Sequence, residues 1–194
     1  MGLTISKDQI AELDRVVFDG EIIVIDHLAQ VKNAVDYLSS KTAIGFDTET
    51  KPAFKRGQTN NVALLQLATE EECFLFRLNK IGYPDDLEDL MCNKEVKKIG
   101  LSLRDDFAAL RKRTGKNPEN FIDLQLFVDK FDIEDNSLQK IYAILFGQKI
   151  SKSQRLSNWE AEELTPAQQS YAAIDAWACL RIYNYLTRKT DEPK

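Results

Sequence analysis

Ile44-Gly45-Phe46-Asp47-Thr48-Glu49-Thr50 is a run that starts apolar and ends in two carboxylates two residues apart. In a strand the side-chain period is two, so Asp47 and Glu49 project from one face and Phe46 and Thr48 from the other. Two like charges at the end of a buried strand repel each other and are poorly solvated. The arrangement makes sense chiefly when something positive sits between them. A hard divalent cation with oxygen ligands, Mg²⁺ or Mn²⁺, meets that need. An isolated Asp-x-Glu pair is equally the polar end of an ordinary strand, and the rest of the chain has to decide between the two.

Of the 194 residues, 43% are hydrophobic and 29% charged, which suits one globular domain with a substantial core. A formal charge of −5 argues against a generally basic nucleic-acid-binding surface but leaves room for a local basic track. Cys73, Cys92 and Cys179 are an odd number without C-x-x-C spacing, which points to reduced thiols. The single histidine, His27, has no second histidine or paired cysteines nearby to complete a zinc site, and reads as an ordinary residue at the start of a helix. No signal peptide is evident and no apolar run reaches the ~18 residues of a membrane span. The expected location is the cytoplasm, or the nucleus of a eukaryote. Met1-Gly2-Leu3-Thr4-Ile5-Ser6 fits the N-myristoylation pattern, but so short a pattern also arises by chance.

Periodicity divides the chain into an N-terminal extension with a short helix capped by Ser6 (1–20) and one domain (21–190). Residues 21–26 read as a strand. Leu28, Val31, Val35 and Leu38 follow at helical spacing, and the strand carrying the acidic pair starts at Thr42. A polar loop from Lys51 to Asn61 leads to strands at 62–68 and 73–76, so three neighbouring strands predict an antiparallel meander. Beyond them the pattern predicts a helix at 85–91, a strand at 96–101 and a helix at 104–113 ending near Gly115. A short strand at 121–124 and helical segments at 125–131 and 137–146 come next. The last helix has the clearest start: Thr165 as cap, Pro166 at its first position and Gln168 where a capping box needs it, with an expected end near Leu186. Strands interleaved with helices give one α/β domain with a mixed sheet.

Two more carboxylates fall on inner faces. Asp175 lies within the apolar stripe Tyr171, Ile174, Ala178, Ile182 and Leu186 of the last helix, where an unpaired aspartate is costly. Asp106 lies three residues after Leu103 and four before Leu110, whereas Asp105 turns towards solvent. Asp47, Glu49, Asp106 and Asp175 together can hold two hard cations, which can activate a water and stabilise a leaving oxygen in phosphodiester hydrolysis. Tyr171, one turn before Asp175, keeps a neutral phenol near pH 7 and suits orienting that water better than deprotonating it. A core tyrosine is its plain alternative.

Phe46-Asp47-Thr48-Glu49, then Ile99-Gly100-Leu101-Ser102-Leu103-Arg104-Asp105-Asp106, then Tyr171-Ala172-Ala173-Ile174-Asp175-Ala176 resemble the three motifs of the DEDDy 3′–5′ exonucleases. The similarity is greatest to the ribonuclease D and Werner-syndrome-type domains. It implies an RNase H-like fold and hydrolysis of DNA or RNA from single-stranded or frayed 3′ ends, with release of nucleoside 5′-monophosphates. It also implies Asp47, Glu49, Asp106 and Asp175 as ligands of two Mg²⁺ or Mn²⁺ ions, with Tyr171 as the fifth catalytic residue. Lys152-Ser153-Gln154-Arg155-Leu156-Ser157-Asn158-Trp159 resembles the basic segment before the third motif.

In that segment Lys152 and Arg155 can neutralise phosphates, assisted by Gln154 or by Trp159 as a stacking face. The alternative is a solvated basic loop with Trp159 tucked beneath it. Lys55 and Arg56 could guide a strand or be surface charges. The chain runs only a few residues past the third motif, so neither the helical nucleic-acid-binding domains of ribonuclease D nor a helicase is expected within it. The alternative function is a catalytically weak nucleic-acid-binding or scaffolding module of the same fold; loss of one acid would be its simplest sequence signature, and none is missing. A small-molecule phosphohydrolase would need a closed pocket.

Overall fold

A computed structural model describes residues 2–53 and 60–191. Lys55 and Arg56 lie outside the described residues. The chain runs α1 (Lys7–Ala11), β1 (Asp14–Arg15), β2 (Glu21–Ile25), α2 (Leu28–Ser39), β3 (Ala43–Thr50), β4 (Val62–Ala68) and β5 (Glu72–Phe76). It continues through α3 (Leu78–Ile81), α4 (Asp85–Cys92), β6 (Lys97–Gly100), α5 (Arg104–Thr114), β7 (Phe121–Asp123) and α6 (Leu124–Phe127). After a 3₁₀ turn at Val128–Phe131 come α7 (Leu138–Phe146), β8 (Gln148–Lys149) and α8 (Pro166–Asp191).

The central sheet has the order β2-β5-β4-β3-β6-β7. The expected meander is present as β3-β4-β5, with both pairings antiparallel, while β2 pairs parallel to β5 and β6 lies parallel between β3 and β7. The fold is therefore the expected α/β arrangement, a mixed sheet with helices on both sides. β4 is buried along its whole length. Leu64 and Ala68 join the cluster around α8, and Leu65 and Leu67 join the one formed with α2 and α4. Two covered faces explain why this strand reads as a continuous apolar run rather than an alternation.

α8 begins as expected. The Thr165 hydroxyl accepts from Gln168 N at 3.2 Å, and Gln168 Oε1 accepts from Thr165 N at 3.1 Å, the reciprocal pairing of a capping box. The helix then crosses β3 in direct contact at Gly45. A Cβ there would stand 2.0 Å from the Ala176 carbonyl oxygen, so any side chain larger than hydrogen would push strand and helix apart. This contact brings the middle of α8 over the acidic end of β3.

The N-terminal residues pack against the same body. β1 runs parallel to β8, and Ile10, Val16 and Phe18 are buried. β1, β8 and α3 are two to four residues long, too short for hydrophobic periodicity to register.

Candidate active site

Asp47 and Glu49 leave β3 on the face towards α8, and Asp175 meets them from that helix. One carboxylate oxygen of each lies within 4.8 Å of the others. Among the described residues no other three His, Cys, Asp or Glu side chains converge this closely. Burial and the charges of Asp175, Glu49 and Asp106 hold the Asp47 pKa well above the usual carboxylate range. Burial, with Asp175 and Asp106, pushes Glu49 up to about 8 against the opposing pull of Arg155. Asp175 is lifted to about 7 by burial, although a hydrogen bond from Tyr171 and the charge of Lys152 act to lower it. Three carboxylates that resist ionisation together are a site short of positive charge.

Asp106 stands beside this trio rather than within it. Half-buried in the first turn of α5, it accepts a hydrogen bond from the Thr48 hydroxyl, while its neighbour Asp105 is exposed. Burial raises its pKa and the Thr48 bond opposes the rise. Thr48, between the two strand acids, thus ties α5 to β3 from the strand's other face. Tyr171 is half-buried, and its hydroxyl donates to Asp175. Burial, then the charges of Asp175 and Glu49, drive its pKa upward, so it stays a phenol.

The trio opens into a cleft of about 390 Å³. Lys152 and Arg155 line it with their side chains exposed, and Leu101, Ser137 and Leu138 form other parts of its wall. Gln154 is half-buried and accepts from the Ser157 hydroxyl at 2.8 Å. Trp159 departs from the expectation of a stacking face for a base. It is fully buried, with its ring centroid 6.0 Å from that of Tyr171, and so supports the tyrosine from behind instead of facing the cleft.

Sequence reasoning missed Thr48, Asp123 and the cleft wall at the start of α7. Asp123 organises the turn into α5: Oδ1 accepts from Ser102 N at 2.9 Å and Gln125 N at 3.0 Å, and Oδ2 from Leu103 N at 3.0 Å. Ser102 has φ +60°, an uncommon backbone conformation for a residue with a side chain, and the Asp123 clamp sustains it. The available signal was an aspartate between a short strand and a helical segment, the position of a helix cap.

A profile described as 3′–5′ exonuclease matches residues 22–191. The chain belongs to the 3′–5′ exonuclease family. The exonuclease domain is 34% identical over 155 residues to the mouse bifunctional 3′–5′ exonuclease/ATP-dependent helicase WRN, a match covering 77% of this chain and 11% of that protein. Ribonuclease D of Xanthomonas oryzae is 28% identical over 152 residues, covering 77% of this chain and 41% of the relative. The chain therefore spans less than half the length of either relative.

Among solved structures, the Aedes aegypti Nibbler EXO domain superposes with a TM-score of 0.77 at 22% identity, covering 98% of this chain and 93% of that one. Trypanosoma brucei RNase D in complex with RNA U12 gives 0.79 at 23% identity, covering 91% and 65%. Likeness at this identity establishes the fold of the exonuclease domain. None of its described helices is long and apolar enough to cross a membrane.

Proposed function

We propose that the domain hydrolyses DNA or RNA from single-stranded or frayed 3′ ends, releasing nucleoside 5′-monophosphates with the help of two divalent cations, Mg²⁺ or Mn²⁺. The observation that carries this is the meeting of Asp47, Glu49 and Asp175 within 4.8 Å in an open cleft. The donors are all carboxylate oxygens, the hard set that suits these ions. Their raised pKa values mark charge that the protein's own Lys152 and Arg155 leave unbalanced.

Asp47, Glu49 and Asp175 would hold one cation, and Asp106 would complete the set for the second. Bound there, the cations would supply Lewis acidity, activating a water and neutralising charge on the leaving oxygen of an in-line displacement. Tyr171, kept as a phenol, orients the attacking water by hydrogen bonding. Lys152 and Arg155, exposed along the cleft, neutralise backbone phosphates, with Gln154 beside them. Leu101 and Leu138 offer an apolar wall for the terminal base. The nuclease relatives, and the RNA bound to the trypanosomal ribonuclease D, support nucleic acid as the substrate class.

The test is digestion of matched 5′-labelled DNA and RNA oligonucleotides with Mg²⁺, with Mn²⁺ and with EDTA, and with the Asp47→Ala protein as control. A cation-dependent ladder shortening from the 3′ end, absent for Asp47→Ala, is the expected result, and the rates rank the two substrates. Binding without a ladder under any cation would replace the enzyme with a nucleic-acid-binding module.

A further inference from the structure

Gln66 lies directly opposite Asp47 in the register of β4 against β3. Residues opposed in this way project from the same face of the sheet, with Cβ atoms about 4.5–5.5 Å apart. Gln66 is fully buried, and neither its Nε2 nor its Oε1 has a hydrogen-bond partner among the described residues. A buried amide with both ends unpaired is costly and calls for an explanation. Its neighbours on that face of the sheet are apolar: Leu64 and Ala68 along the strand, and Leu75 opposite on β5. Asp47 is the polar group that the sheet sets beside it.

We propose that Gln66 is a positioning residue for Asp47. Its amide N–H donates to the ionised carboxylate and fixes which oxygen remains for a cation. This rests on the reading of the acid cluster as a cation site. A carboxylate ligand is held in orientation by a hydrogen-bonding partner behind it, and loss of such a partner typically weakens metal affinity 10–100-fold. A neutral amide suits the task better than lysine or arginine here, because it supplies a donor without competing with the cation for negative charge.

The experiment compares wild type with Gln66→Met, which keeps the length of the side chain and removes its hydrogen bonds, and with Gln66→Leu as a second variant should methionine disturb packing. Mn²⁺ binding is measured by calorimetry without substrate, melting is followed in EDTA, and kcat and KM are determined on a labelled oligonucleotide. The expected result is melting in EDTA at or above the wild-type temperature, roughly tenfold weaker Mn²⁺ binding, and a lower kcat at unchanged KM. Mn²⁺ affinity within twofold of wild type in a folded variant overturns the role of Gln66 alone. Mn²⁺ binding that is missing in wild type, or that survives Asp47→Ala unchanged, overturns the cation site and Gln66 with it.

Discussion

Tyr171 is where a single hydroxyl separates positioning from chemistry. Its O–H donates to Asp175, and the buried acids around it keep it protonated. Tyr171→Phe removes the donor and keeps the ring that rests on Trp159. A fall in kcat of about 100-fold is expected, with Mn²⁺ affinity and KM within a few-fold of wild type. The hydrogen bond lowers the Asp175 pKa, so its loss also moves the acid limb of the pH–rate profile to higher pH. Steady-state kinetics across pH checks both, and an unchanged kcat removes the tyrosine from the mechanism. The placement of Tyr171 beside Asp175 was legible because the two are one turn apart on an apolar stripe. The contact of Thr48 with Asp106 was not, since it forms only when tertiary structure brings the two together, and Asp123 offered only its local capping position, not its bonds to Ser102 and Leu103.

Among the elements, the contact of β3 with α8 decides whether the acids meet at all. Gly45 is its fulcrum, and a methyl group there has the Ala176 carbonyl in its path. Gly45→Ala should destabilise the domain by roughly 3 kcal/mol, the upper end of what overpacking costs, and should weaken cation binding by displacing Asp175 from Asp47. Denaturant unfolding and Mn²⁺ calorimetry measure the two effects. Wild-type stability together with wild-type affinity would show that the strand and helix separate without consequence. The long elements β3, β4 and α8 were readable because each carries a full hydrophobic period or a capping box. The segment before α8 was readable only by composition: Lys152 and Arg155 line the cleft as its charge suggested, but composition cannot tell a buried tryptophan from an exposed one, and Trp159 is buried.

For the whole molecule, the acid cluster links stability to pH and to cations. Glu49 at about 8 and Asp175 at about 7 in the folded protein, against 4.5 and 3.8 as ordinary values, bind protons more tightly folded than unfolded, and Asp47 shifts the same way. The stability they contribute is fully present below about pH 4 and is lost as pH rises through their folded pKa values. Lys98, lowered to about 8 by burial, acts in the other direction but mainly above that window, as stability gained between its folded pKa and its ordinary value of 10.5. In EDTA, therefore, the melting temperature should fall between pH 5 and pH 8, by on the order of 10 °C for a loss of roughly 3 kcal/mol in a chain of this size. A divalent cation bound there would replace the protons as countercharge, so the rise in melting temperature produced by Mg²⁺ or Mn²⁺ should be small at pH 5 and grow towards pH 8. Asp47→Ala removes the central acid and should flatten both trends. Differential scanning calorimetry over this range decides the matter. A melting temperature in EDTA that is level or rising from pH 5 to pH 8 would mean that the three carboxylates find their countercharge within the protein, and the case for a cation between them would fail with it.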